Sequence, residues 1–396
     1  MRGLALEGGG AKGAYHIGVV KALYEKGYEF DGFVGTSIGA VNAAFLAMGC
    51  FERAYELWSS VTIESMFDED EKPLLQLADA RDIKTGISLL NAVADRRAFR
   101  KIISNKGVST DKMKALLEQY VDEDRIRESG KDFGLVTISL SERKPYELML
   151  EDIPKGQLLS YIMASATLPG LRASSIEENL FIDGALYNNC PYQLLLDKGY
   201  DEVIVVRTMA RGVFHKTNDP RVKLIIPSDK LGSFALFTPE SDAIKLKLGY
   251  YDGLRFIEHL RGKYYYIRDV DDSELFALLV SLDEEAILKA CGLLGYPTGQ
   301  AKRALFERLV PFLGDYLKLD SGFSYSDLVI ALLERFARSK SVDRFAVYDF
   351  ARLRDLAIEA PDSPAAVSAS ATLSSTNLLA RRRAAARLLT RSLFSR

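Results

Sequence analysis

One stretch constrains the fold more than any other: Phe33-Val34-Gly35-Thr36-Ser37-Ile38-Gly39-Ala40-Val41-Asn42-Ala43-Ala44. A short apolar strand, Phe33-Val34, runs into Gly35, turns at Ser37 and leaves through Gly39 into an alanine-rich helix. This is the G-x-S-x-G pattern of a nucleophile elbow, whose turn cramps the serine backbone and requires flanking positions without a Cβ. The turn holds a hydroxyl at the carboxyl end of a strand, with helix N–H groups beneath it. By itself the pattern is weak, since ordinary Gly and Ser frequencies produce it by chance in roughly one chain of this length in seven. Its surroundings decide what it means.

Gly3–Leu6 reads as a short buried strand and Gly8–Gly13 as a glycine loop. Ala14–Lys26 has helical spacing (Ile17, Val20, Leu23, Tyr24) with Gly27 as its stop. Phe30–Thr36 is the second strand and Ile38–Met48 its helix. A β-loop-α-β-turn-α opening starts a parallel α/β sheet with sites at the carboxyl ends of its strands. From Phe51 to about Asp122 the pattern is mostly helical, with charged breaks at Asp68–Lys72 and Asp95–Lys101, and this segment is expected to border the mouth of the site. Further strands are predicted over 133–140, 146–150, 202–207 and 222–226. A helix over Leu158–Ala166 stops at Thr167-Leu168-Pro169-Gly170, and the strand Leu180-Phe181-Ile182 ends in Asp183-Gly184-Ala185.

Helical spacing dominates from Ser241 onward, interrupted at Tyr264–Ile267 and Gly295–Gly299. The expected organisation of the 396 residues is an α/β domain over 1–271, a helical region over 272–360 and a flexible Ala/Ser/Arg-rich tail over 361–396. Hydrophobic residues at 48% and charged residues at 27% are ordinary for a folded chain. The net charge of −2 hides an asymmetry: six arginines and no acidic residue follow Asp362, so the body is acidic and the tail basic. An acidic body argues against a nucleic-acid partner. Cys50, Cys190 and Cys291 are few and widely separated, which favours a reducing compartment over a disulfide scaffold or a zinc site. Leu4-Ala5-Leu6 ends in Glu7 and glycines, so no signal peptide is read, and a cytoplasmic protein is expected. The uncharged run Phe33–Phe51 nearly reaches a membrane-spanning length, but three glycines with Ser37 and Asn42 favour a buried strand and helix.

Two further readings of the glycine loop are weighed. Gly8-x-Gly10-x-x-Gly13 meets the spacing of a dinucleotide fingerprint, yet the second strand ends in Gly35-Thr36-Ser37 where that fold wants an acid, and Glu7 would face a pyrophosphate. A phosphate-binding P-loop needs Lys and Ser or Thr where Gly13 is followed by Ala14. In an acyl-transfer reading, Ser37 needs a base, and Gly9, Gly10 and Ile38 can present N–H donors to an oxyanion. His16, His215 and His259 are the only histidines, and none sits in a recognisable motif. Asp183-Gly184 alone reads more commonly as a turn between strands.

Taken in order, these pieces resemble the patatin-like phospholipase family. Its glycine-rich oxyanion loop with a basic residue is matched by Gly8-Gly9-Gly10-Ala11-Lys12-Gly13, and its elbow by Gly35-Thr36-Ser37-Ile38-Gly39. Its A-S-x-x-x-P block is matched by Ala164–Pro169, and its D-G-G or D-G-A motif by Asp183-Gly184-Ala185. The resemblance covers roughly residues 1–230 and implies an α/β fold, a three-layer sandwich around a mostly parallel sheet, carrying a C-terminal helical appendage. It implies a lipid acyl hydrolase with Ser37 as nucleophile, Asp183 as base and Gly8, Gly9, Gly10, Lys12 and Gly13 forming the oxyanion loop. Gly35, Gly39 and Gly184 would support the turns, with a lipid substrate and neither metal nor other cofactor.

Two alternatives stand beside it. An α/β-hydrolase esterase with a histidine base has His215 and His259 after Asp183, although its elbow ordinarily follows several strands. A non-catalytic lipid-surface or partner-binding protein would keep the fold without turnover. The tail also carries two readings: a peripheral contact with anionic membranes, or a solvated disordered segment whose arginines do not gather on one helical face.

Overall fold

The computed structural model describes residues 1–68, 108–168, 171–361 and 377–394. The chain divides into two compact units, Met1–Leu254 and Arg255–Arg396. The sequence reading put the boundary near 271; the second unit begins earlier because Tyr265, Tyr266 and Ile267 belong to its core.

The first unit is an α/β sandwich. Its sheet holds β1 (Arg2–Leu6), β2 (Gly32–Thr36), β3 (Asp132–Ser139), β4 (Lys144–Met149), β5 (Ser174–Ile176), β6 (Asn179–Asp183), β7 (Glu202–Val206) and β8 (Val222–Ile225). Strands β3-β2-β1-β7-β8 run parallel, and β4, β5 and β6 join antiparallel. The central strands are buried along most of their length, as parallel strands covered on both faces require. On one face, Ala5, Val34, Val203 and Val205 pack with Tyr192, Leu195 and Tyr200. On the other, a Cβ added to Gly35 would fall 2.2 Å from the Gly39 carbonyl carbon of helix α2 (Ile38–Ala47). Helices thus cover both sheet faces. Every predicted strand is present, with ends within two residues of those expected; the short β5 carried no sequence signal.

The register of β3 positions the site. Val136 pairs with Thr36 of β2 on one edge and with Glu147 of β4 on the other. One residue on, Thr137 pairs with Asp183 of β6 and with Tyr146 of β4. Strand β4 therefore runs along one edge from Gly134 to Ser139, and β2 and β6 divide the opposite edge end to end. They approach from opposite directions, so their last residues meet between Val136 and Thr137.

Helices 51–60, 63–66 and 111–118 occur where helical texture was read. The rest of that segment, with its expected place at the site mouth, lies outside the described residues, as do Pro169, Gly170 and the linker over 362–376. Among its described residues the second unit is mostly helical, with a two-residue parallel ladder of β9 (Tyr266–Ile267) and β10 (Val347–Tyr348). Glu334 anchors its entry by accepting the N–H groups of Lys263, Tyr264 and Tyr265 at 2.8, 2.7 and 2.7 Å.

The end of the chain corrects the expected flexible tail. Leu378–Phe394 is a helix whose Ala385, Ala386, Leu389, Leu393 and Phe394 sit in the core of the second unit. An apolar stripe between the arginines gave it a buried face.

Candidate active site

Ser37 is the residue between β2 and helix α2, with φ 59° and ψ −130°. Positive φ is disfavoured for a residue with a Cβ. Two close approaches enforce it: Gly35 lies against Gly39, and a Cβ on Gly39 would fall 2.2 Å from the Leu6 carbonyl oxygen. Ser37 is 3% exposed. Its backbone N–H donates to Ser165 Oγ at 2.9 Å, from the end of the helix Leu158–Ser165.

Asp183 arrives at the end of β6, fully buried. Its Oδ1 accepts the Ala185 N–H at 2.8 Å, and its own N–H donates to the Thr167 carbonyl at 2.8 Å. Its Oδ2 is buried with no hydrogen-bond partner. Burial pushes the Asp183 pKa up to about 7, against the lowering influence of the Ser37 hydroxyl and the Ala185 N–H. The Ser37 hydroxyl is thus close enough to act on the carboxyl, while no bond of hydrogen-bonding geometry to Oδ2 is formed. Such contacts are often loose before substrate arrives. A Cβ on Gly184 would fall 2.3 Å from the Val136 carbonyl oxygen, so only glycine lets the chain turn here over β3.

The glycine loop lies beside this pair. Gly8 packs so close that a Cβ on it would stand 3.2 Å from Ser37 Cβ. Its N–H donates to the Asn189 carbonyl at 3.0 Å, which removes Gly8 from the expected oxyanion donors. Ala11 donates to Phe234 and Lys12 to the Gly9 carbonyl. Among the described residues, the N–H groups of Gly9, Gly10 and Ile38 meet no protein acceptor. Gly9 and Gly10, with φ 156° and 56°, use conformations that favour glycine. Gly13 packs against Trp58 and Ile38, and its carbonyl accepts Asn42 Nδ2 at 3.0 Å; it shapes the helix entry and offers no donor to the site.

None of the three histidines hydrogen-bonds Ser37 or Asp183. His16 is fully buried against Asn42, and burial pushes its pKa down to about 3. His215 is exposed, with Nε2 at 3.2 Å from the Tyr187 carbonyl. His259 is exposed in the second unit. Glu7 is buried and pairs with Arg207 at 2.8 Å.

Sequence reading missed Asn188 and Asn189. The Asn188 carbonyl accepts the Thr36 hydroxyl at 2.8 Å, while Asn189 holds Gly8, so this pair ties elbow, glycine loop and the Asp183 turn together. The adjacent asparagines were a visible signal, but tying through their carbonyls leaves no mark in residue type. Among the described residues, no three His, Cys, Asp or Glu side chains gather as a metal site.

Fold and site together define an α/β protein with a nucleophile-elbow serine set against a buried carboxylate. The patatin-like phospholipase family matches residues 4–196, just under half of the chain. A lysophospholipase of Mycosarcoma maydis is 29% identical over 205 residues, covering 52% of this chain and 9% of the relative. The neuropathy target esterase of Drosophila melanogaster is 26% identical over 303 residues, covering 71% of this chain and 18% of the relative. The chain thus spans less than a fifth of the length of either. The crystal structure of VipD from Legionella pneumophila aligns over 99% of this chain and 91% of its own, at 14% identity and a TM-score of 0.43.

Proposed function

We propose that the protein is a lipid acyl hydrolase of the phospholipase A or lysophospholipase type, working through a Ser37–Asp183 dyad. The observation that carries this reading is the end-to-end meeting of β2 and β6, which sets a strained serine beside a buried carboxylate. Ser37 Oγ attacks the ester carbonyl carbon while Asp183 Oδ2 takes its proton. The N–H groups of Gly9, Gly10 and Ile38 receive the developing oxyanion. As the tetrahedral intermediate collapses, the C–O bond to the alcohol breaks and Asp183 returns the proton to that leaving oxygen. Water then attacks the acyl-serine, again losing its proton to Asp183, and the fatty acid leaves as Ser37 is reprotonated.

A carboxyl of ordinary pKa is a weak base for a hydroxyl; one raised to about 7 by burial is matched to neutral conditions. Lys12, at the turn of the loop, steadies the oxyanion segment and does no proton chemistry in this scheme. The matching family and the similarity to a lysophospholipase support a lipid ester as substrate. The test is fatty-acid release from phospholipid and lysophospholipid by purified protein, with Ser37→Ala as the control. Release by the parent and none by the variant is expected, and equal release would refute the assignment.

No helix among the described residues is long and apolar enough to cross a membrane. Peripheral contact belongs to the same reading, with the exposed Arg381, Arg383 and Arg391 of the last helix, spread around its circumference, as the groups that meet anionic headgroups. Buried, unpaired cysteines fit a reducing, cytoplasmic setting, and no nucleic-acid partner is part of this function.

A further inference from the structure

Two segments of the first unit clasp the glycine loop. On one side the Thr208 hydroxyl donates to the Gly8 carbonyl at 2.6 Å, and a Cβ on Gly9 would fall 2.7 Å from Thr208 Oγ1. On the other, the Phe234 carbonyl accepts the Ala11 N–H at 2.7 Å, and a Cβ on Gly10 would fall 2.4 Å from that oxygen. Each segment presents a large apolar side chain to solvent: Met209 is 55% exposed and Leu236 is 44% exposed.

Neither is a slack loop tip. Met209 has φ 51°, which is disfavoured for any residue but glycine, and its N–H is held by the buried Glu7 carboxylate at 2.9 Å. The Leu236 carbonyl accepts Lys245 Nζ at 3.0 Å, and that buried ammonium pairs with buried Asp242 at 2.8 Å. A buried charge therefore fixes the backbone under each outward apolar side chain. Burying such charges is costly, and holding a methionine and a leucine in water gains nothing within the monomer.

The first segment is locally basic: residues 207–218 contain Arg207, Arg211 and Lys216 and no Asp or Glu, with Asp219 next in the chain. The second adds Lys230, which follows Asp229. Apolar side chains amid cations suit the acyl–headgroup boundary of an anionic bilayer, where both gain.

We propose that Met209 and Leu236 are insertion points through which the α/β unit docks on an anionic lipid surface, with Arg211, Lys216 and Lys230 at the headgroups. The purpose of this docking rests on the hydrolase reading, because it sets the glycine loop and Ser37 against the layer that holds the ester. The docking itself is measurable without turnover.

The test is co-sedimentation of the full chain, in a Ser37→Ala background, with vesicles of phosphatidylcholine plus phosphatidylserine and of phosphatidylcholine alone. Met209→Gln with Leu236→Gln should weaken partitioning onto the anionic vesicles by about tenfold or more while thermal unfolding is unchanged. Lys216→Gln with Lys230→Gln should weaken binding to the anionic vesicles alone. Leu236→Trp adds one tryptophan to Trp58, the single tryptophan of the parent, and the emission gained over the parent should shift to the blue on bound vesicles. A parent that fails to bind, an unaffected Gln double variant, or unshifted emission from the Leu236→Trp protein each overturns the proposal. Soluble-ester turnover by protein with Ser37 intact is read separately, so loss of the docking idea and loss of the hydrolase reading give different results.

Discussion

Ser165 Oγ accepts the backbone N–H of Ser37 at 2.9 Å. Two residues further on, the Thr167 carbonyl accepts the backbone N–H of Asp183 at 2.8 Å. One short block at the end of a helix thus fixes the backbones of both members of the proposed dyad. Ser165→Ala leaves a buried N–H unsatisfied under the elbow, at a cost of roughly 1–3 kcal/mol. We expect kcat on a soluble ester to fall by about tenfold or more with KM little changed, because orientation is lost and binding is not. Unchanged kcat in a folded Ser165→Ala protein removes Ser165 from the positioning role.

The raised Asp183 pKa has two consequences of known sign. As a base Asp183 must be ionised, so kcat/KM should rise with pH through about 7 and level off above it. In stability the same shift acts oppositely. The folded protein holds the proton up to about pH 7, whereas an unfolded aspartic acid loses it near ~3.9. Stability is therefore highest, for this group, below the unfolded value and is lost progressively up to the folded one. Asp183→Asn should abolish activity yet raise the unfolding temperature at pH 8 relative to the parent. A variant less stable at pH 8 contradicts the buried, costly carboxylate.

The last helix carries a prediction that the compositional view of the tail does not. Ending the chain at Pro361 removes Leu389, Leu393 and Phe394 from the second unit's core. Large-to-small changes at such positions cost about 2–5 kcal/mol each. A protein ending at Pro361 should unfold at markedly lower temperature than the full chain, by calorimetry; an unchanged transition contradicts the packed helix.

Much of this was legible in the sequence, for identifiable reasons. Gly35 and Gly39 are required by close backbone approaches on either side of Ser37, so the elbow shows in residue type. The strands around Phe133, Ile204 and Leu180 show because burial on a sheet demands apolar runs. The meeting of β2 with β6 was invisible, because it depends on which edge of β3 each strand chooses. The exclusion of the Gly8 N–H from the donor set was equally hidden, since a backbone carbonyl of Asn189 fills it. Leu378–Phe394 was misread because its small buried alanines look like linker composition until a partner surface is present.

The measurement closest to the central claim is hydrolysis of a soluble chromogenic acyl ester by the parent, Ser37→Ala, Asp183→Asn, His16→Ala, His215→Ala and His259→Ala, each checked for folding by circular dichroism. The expected result is loss of nearly all turnover in the first two variants. Each histidine variant should stay within about tenfold of the parent, below the ~100-fold that a general base ordinarily contributes. A folded histidine variant as inactive as Ser37→Ala, or an Asp183→Asn protein that retains turnover, contradicts the Ser37–Asp183 dyad and returns the base to a histidine.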